Sequence, residues 1–233
     1  MDVALFTQEG LIMILRWIHF FAGVAWIGHL YYFNFVQGAF FGEIDAPTKN
    51  QAFAKLVPRA IWWFRYGALF TFLSGASMLA IVGKDLGGDF FRTPYGIYIY
   101  TGALMGTIMF LNVWVIIWPI QKRLIANANA ALSGGTPDAT AAAAAPRAAL
   151  ASRTNVLFSI PLLFFMGASR HLGLSIPENF NPGAVIGVVT LVILALAANG
   201  VKGKMGPMTT VKGVIHCGLG LLIALYAIIE VMV

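Results

Sequence analysis

The chain has 233 residues, of which 59% are hydrophobic and only 10% are charged, and its mean hydropathy is +0.81. This composition excludes a soluble globular domain and is typical of an integral membrane protein. The net charge of +6 does not indicate nucleic-acid binding, because Lys and Arg lie mostly in short connections between apolar stretches, where membrane topology accounts for them. A single cysteine, Cys217, excludes an internal disulfide.

Apolar stretches long enough to cross a bilayer recur along the chain. A helix rises 1.5 Å per residue, so a span needs roughly 20 apolar residues. The sequence therefore predicts an all-α fold, a polytopic transmembrane helix bundle with about six spans. We expect the first span to be retained and not cleaved as a signal peptide, because acidic Glu9 precedes it and no basic residue does. The predicted spans are Leu11–Phe40, Ala60–Val82, Tyr95–Pro119, Thr154–Leu172, Gly183–Ala198 and Gly213–Val231.

The connections between spans indicate the orientation, because cytoplasmic loops are enriched in Lys and Arg. Only Lys84, Arg92 and Arg170 lie on the side that holds the chain ends. Both termini are therefore predicted to face the outer, periplasmic side. The first, third and fifth connections contain the other loop cations: Lys49, Lys55, Arg59, Lys122, Arg123, Arg147, Arg153, Lys202, Lys204 and Lys212.

The third connection, residues 123–153, is rich in alanine and contains Ser133-Gly134-Gly135, Pro137 and Pro146. This composition indicates a flexible or partly helical cytoplasmic linker between two groups of three helices. No other segment looks like a boundary, so residues 1–233 are interpreted as a single integral membrane domain.

All four histidines lie within or at the edge of apolar stretches, where an ionisable side chain is costly and indicates a functional site. The predicted topology matches them by depth. His19 pairs with His171 toward the outer side, and His29 pairs with His216 toward the cytoplasmic side. Such pairs are how a membrane bundle would hold one or two haem b groups by bis-histidine ligation. The alternative is that each ring is hydrogen-bonded within the bundle or faces interfacial water.

Three arginines accompany these histidines. Arg16 precedes His19 by three residues, a same-face spacing, and Arg170 adjoins His171. A guanidinium pairs with a carboxylate in bidentate fashion, so both suit the propionates of an outer haem, and Arg65 suits an inner one. The alternative for each is that the side chain extends to lipid headgroups.

The residues around these positions carry a resemblance to a known family. The chain resembles the N-terminal membrane domain of the bacterial membrane-bound urate oxidase (urate hydroxylase) family. It is more distantly similar to the membrane protoporphyrinogen oxidase and copper-resistance membrane families. The resemblance is carried by Arg16-Trp17-Ile18-His19, Gly23, Trp26-Ile27-Gly28, Tyr32-Phe33, Arg65-Tyr66, Leu73-Ser74-Gly75, Asn155 to Phe165, and Ser169-Arg170-His171.

The resemblance implies a polytopic domain of the bacterial inner membrane that feeds electrons to a c-type cytochrome, with His19 and His171 on the matching positions. The family pattern does not supply His29. The sequence contains no Cys-x-x-Cys-His, so we expect no covalent haem c in this chain.

The leading functional hypothesis is a membrane b-type cytochrome that passes electrons as a subunit or partner of a larger respiratory or quinone-linked complex. Two axial imidazoles leave no open position on iron, which suits electron transfer. Quinone is a further candidate cofactor, and cytochrome c or respiratory subunits are the candidate protein partners, beside membrane lipid. One alternative is an oxidoreductase that oxidises urate and delivers electrons to a separate cytochrome c. The other is a non-redox accessory or transport bundle.

Overall fold

The computed structural model describes residues 3–233, and every regular element in them is helical. Six of the helices are long and apolar enough to cross a membrane, as predicted, so this is a multi-pass membrane protein. A short helix, α2, joins the first two. The helices are α1 (Gln8–Glu43), α2 (Ala46–Lys55), α3 (Val57–Arg92), α4 (Pro94–Leu132), α5 (Ala139–His171), α6 (Pro182–Lys202) and α7 (Val211–Met232).

Polar residues at the predicted boundaries explain where most of these helices begin. A side-chain oxygen of the residue before the helix accepts a hydrogen bond from a backbone N–H that has no partner inside the helix. Six helices begin this way: Thr7 caps α1, Asp45 caps α2, Thr93 caps α4, Asp138 caps α5, Asn181 caps α6 and Thr210 caps α7.

The spans extend beyond their predicted bounds, and the largest extensions are at the end of α4 and the start of α5. α4 continues past Pro119 to Leu132 because a wide π-helical turn, Asn112–Ile117, comes just before the proline. In this turn the N–H of Trp118 bonds to the oxygen of Val113, five residues back, and the usual four-residue hydrogen-bond register is interrupted. α5 begins at Ala139, since alanine is the strongest helix former. A second wide turn, Tyr32–Gln37, lies within α1.

The connection between α4 and α5 is reduced to residues 133–138, and polar bonds hold it. Arg123 on α4 forms an ion pair of 2.8 Å with Asp138 and also donates to the Thr140 hydroxyl. Asn127 bonds the backbone of Asp138 in both directions, at 2.7 and 2.9 Å. The two helices are therefore fixed to each other at this end.

α5 is the central helix of the bundle. Of its most apolar stretch 61% is buried, against 17% for α1, and it packs against α4, α6 and α7. α1 packs mainly along α3, and this pair makes lighter contact with the rest. We call the side that carries both chain ends the terminal face and the opposite side the loop face.

Candidate functional site

The two histidines of α1 have the same local arrangement. The Nδ1 atom of His19 lies 2.8 Å from the backbone oxygen of Thr71, and that of His29 lies 2.7 Å from the backbone oxygen of Ala25. A carbonyl oxygen only accepts, so Nδ1 carries the proton and Nε2 of the neutral ring keeps its lone pair. A ring fixed by a carbonyl on one nitrogen is the usual arrangement for a histidine that binds metal through the other.

His19 lies in a notch on α3 that a glycine creates. A Cβ atom at Gly75 would lie 2.9 Å from Cε1 of His19 and 3.2 Å from its Nδ1. Ser74 is buried beside the ring, and its hydroxyl donates to the backbone oxygen of Phe70. The Leu73-Ser74-Gly75 motif therefore has a physical role, since the ring reaches the Thr71 carbonyl only because residue 75 has no side chain.

Arg16 and Arg170 meet around one tyrosine at the terminal face. The guanidinium carbon of Arg170 lies 4.5 Å from the centroid of the Tyr95 ring, and both arginines lie within electrostatic range of the Tyr95 hydroxyl. Residues of three helices, α1, α4 and α5, thus lie around Tyr95, and Arg16 is one helical turn from His19 on α1. The role of the two arginines in a haem site stays a prediction.

The other two histidines are placed differently. His171 is the last residue of α5 and is exposed. His216 is exposed on α7, which packs on α5 and α6, whereas α1 packs on α3. Across residues 3–233, no three His, Cys, Asp or Glu side chains gather as a metal site. Both histidine pairings remain predictions.

Arg65 lies among aromatic rings on the loop-face side. Its guanidinium carbon is 3.9 Å from the ring centroid of Trp118, 4.9 Å from that of Tyr66 and 5.8 Å from that of Trp114. Its Nε atom is buried without a hydrogen-bond partner in the described chain. The contact with three π faces stabilises the charge, so Arg65 has a third environment besides the two considered from sequence.

Two groups of polar residues were not singled out from the sequence. Asn112 donates to Asn155 Oδ1 at 2.8 Å, and Asn155 donates to the backbone oxygen of Met109 at 3.0 Å, all within the buried interface of α4 and α5. Gln37 and Arg153 line a cavity at the loop face. The sequence does contain a signal for these residues, namely asparagine and glutamine inside apolar helices, because a buried amide group needs a hydrogen-bond partner.

The comparisons with known proteins bear on the last four spans. Residues 89–225 match the family model described as urate oxidase N-terminal. The chain belongs to the urate oxidase N-terminal family. The matched range contains Arg170, His171 and His216 and ends inside α7, while His19 and His29 precede it. Searches of curated proteins and of solved structures gave no match.

Proposed function

We propose that this chain is a membrane b-type cytochrome of the bacterial inner membrane that passes electrons as a subunit or partner of a larger respiratory complex. Haem b, when bound, would supply a one-electron couple, and His19 and His171 are the residues that would hold it. The terminal face is taken as periplasmic, which follows from the distribution of Lys and Arg in the connections.

The observation that carries the proposal is the fixed ring of His19. Its bond to the Thr71 oxygen orients the ring and leaves Nε2 as the atom that would bind iron. Arg16 and Arg170 would pair with the two propionates, which are carboxylates. His171 is the proposed second axial ligand. This set of donors fits the chemistry of a haem site with propionates toward the terminal face.

A second haem toward the loop face rests on His29, whose Nδ1 is fixed in the same way by Ala25. His216 is its proposed second ligand. Arg65 is the candidate propionate partner for this second haem, and its unpartnered Nε suits a carboxylate acceptor.

The test is the absorbance spectrum and haem-to-protein ratio of the protein purified in detergent. We expect a reduced-minus-oxidised spectrum of the b type, and its absence would overturn the proposal in favour of a non-redox bundle. His19→Ala is expected to remove all haem from a one-site protein and half from a two-site protein. A ratio unchanged in this variant would contradict the role of His19. Loss of half the haem in His29→Ala supports two sites, and no loss reduces the proposal to the terminal-face site.

A matched pair of glycine variants tests the position of the His19 ring without removing it. Gly75→Ala places a methyl group against the ring, whereas Gly83→Ala, two turns along the same helix, meets nothing within 4 Å. We expect Gly75→Ala alone to shift the haem absorbance maximum or the midpoint potential. An equal effect of the two variants would show that His19 does not bind iron.

The family match favours a second candidate, an enzyme that oxidises urate and passes electrons to a separate cytochrome c. Under this proposal, added urate reduces the haem of the purified protein, and oxidised cytochrome c re-oxidises it. A haem that dithionite reduces and urate does not would assign the chain to electron transfer alone.

A further inference from the structure

A cavity of about 280 Å³ opens between the loop-face ends of α1, α3, α4 and α5. Aromatic and aliphatic side chains form most of its wall, among them Phe33, Phe64 and Ile117. Both wide turns border it, since Phe33 and Ile117 belong to Tyr32–Gln37 and Asn112–Ile117. Wide π-helical turns are frequent at functional sites, because they displace side chains from the regular helical register.

Two polar groups in this wall have no partner. The Oε1 atom of Gln37, a residue only 9% exposed, and the Nη1 atom of Arg153 are buried, and neither has a hydrogen-bond partner within residues 3–233. Their neighbour Asn34 is satisfied, because it donates to the Leu30 oxygen and to the Ser152 hydroxyl. A buried polar atom without a partner is destabilising, and more so when it is charged. The unpaired atoms of Gln37 and Arg153 are therefore available to hydrogen-bond a molecule in the cavity.

The chemistry of the wall defines that molecule. Arg153 supplies a donor and a positive charge, Gln37 supplies an acceptor, and no carboxylate is among the lining residues. A ligand must then present an electron-rich oxygen to Arg153 and an O–H or N–H group to Gln37, on a flat apolar body that packs against Phe33 and Phe64. The head group of a quinol has these features, with two ring oxygens on one aromatic ring.

We infer that this cavity binds the head group of a membrane quinol, with one ring oxygen on Arg153 and the other hydroxyl donating to Gln37. The ring of Phe33 lies 6.3 Å from that of His29, centroid to centroid, and 5.5 Å from that of Phe64. The cavity thus lies next to the candidate ligand of the loop-face haem.

The role of the quinol as an electron donor rests on the proposed function, whereas its binding in the cavity does not. Oxidation of one quinol breaks two O–H bonds, releases two protons at the loop face and yields two electrons. Under the proposed function, bound haem would be the acceptor of these electrons, one at a time.

The binding test uses the reduced, quinol form of a ubiquinone with a single isoprene unit, kept under anaerobic conditions, titrated into the detergent-solubilised protein and followed by quenching of tryptophan fluorescence. Arg153→Met and Gln37→Leu keep the side-chain size and remove the polar atoms. We expect each to weaken binding at least tenfold, because a hydrogen bond to a charged group is lost or a buried acceptor is removed. Arg147→Met on α5 and Gln51→Leu on α2 are the matched controls, since both residues are exposed and lie outside the cavity wall.

Wild-type affinity in both cavity variants would overturn the inference. So would displacement of the quinol by inorganic phosphate with the same dependence on Arg153, because the site would then be a simple anion site. Ala145→Phe adds a ring at a lining position and is expected to abolish binding, while unfolding temperatures of all variants confirm that they fold.

A second readout separates this inference from the proposed function. In a haem-containing protein, reduced quinol should reduce the haem of wild type and not that of Arg153→Met, while dithionite reduces both. Binding of the quinol by a protein that contains no haem would support the inference about the cavity and contradict the proposed cytochrome. Haem in a protein that does not bind the quinol would support the cytochrome and contradict the inference.

Discussion

The α1–α3 pair and the group of helices around α5 differ in burial, in how much of each matches the family model and in which candidate ligands they hold. The α5 group contains the buried core and almost all of the range that matches the family model. The α1–α3 pair is more exposed, and most of it lies outside that range, yet it holds the two histidines whose rings are fixed by carbonyl oxygens. The family match thus lies mainly on the more buried group, and the histidines with carbonyl-fixed rings lie on the neighbouring pair.

The contact within the α1–α3 pair is the most sensitive point of this comparison. At Gly67 an added Cβ would lie 2.9 Å from the backbone nitrogen of Trp26 and 3.1 Å from the backbone oxygen of Ala22. Backbone atoms cannot turn aside as a flexible side chain can. The two helices approach this closely only because residue 67 lacks a side chain.

We therefore expect Gly67→Ala to have the largest effect on stability. Overpacking costs about 1–3 kcal/mol, whereas Gly83→Ala on the same helix is expected to stabilise by about 0.5–1 kcal/mol through helix propensity alone. Thermal unfolding in detergent, followed by circular dichroism, measures both. If both variants shifted the unfolding temperature in the same direction, the close approach of α1 and α3 would be wrong.

Within the α5 group, Asn155→Ala is expected to cost about 1 kcal/mol. It removes the acceptor of the Asn112 amide and the donor to the Met109 oxygen, and all three groups are buried. The control is Asn129→Ala, an exposed residue that donates to a carbonyl of its own helix. Unfolding temperatures of the two variants should separate, and equal values would contradict the buried network.

The smallest effect is expected at the turn between α4 and α5. Hydrogen bonds from the Thr140 hydroxyl, and then from Arg123, lower the pKa of Asp138 to about 2. Because this pKa lies below the unfolded value of about 3.9, the carboxylate stabilises the fold above that pH and the contribution disappears as pH falls through about 2. The difference in unfolding temperature between wild type and Asp138→Asn should shrink over this range. A difference that does not vary with pH would rule out the ionised cap.

The sequence predicts the spans well because the length of an apolar stretch is read directly from composition. The ends of α4 and α5 are harder. Pro119 favours a helix end, and the wide turn just before it, which depends on packing, accompanies the continuation of α4. The alanine-rich stretch from Ala139 has high helix propensity, but its Gly and Pro neighbours favour a linker.

Part of the candidate site can likewise be predicted from the sequence, and part depends on the fold. Arg16, His19 and Arg170 are found from sequence because charge in an apolar helix is conspicuous. The partner of His19 is a backbone oxygen on another helix, which no side-chain pattern encodes. Arg153 was counted among the topology-determining cations, and only the fold reveals that its Nη1 is buried.

The wide turn Tyr32–Gln37 also fixes the angular position of everything that follows it in α1. Each residue rotates a helix by about 100°, so a chain shorter by one residue in this turn would carry Gln37 about a quarter-circle away from Arg153. Asn34 and Ser152 would separate by the same rotation. The loop-face chamber therefore depends on residue count as much as on residue type, and homologous chains that keep the amides but lose one position in this segment should lack it.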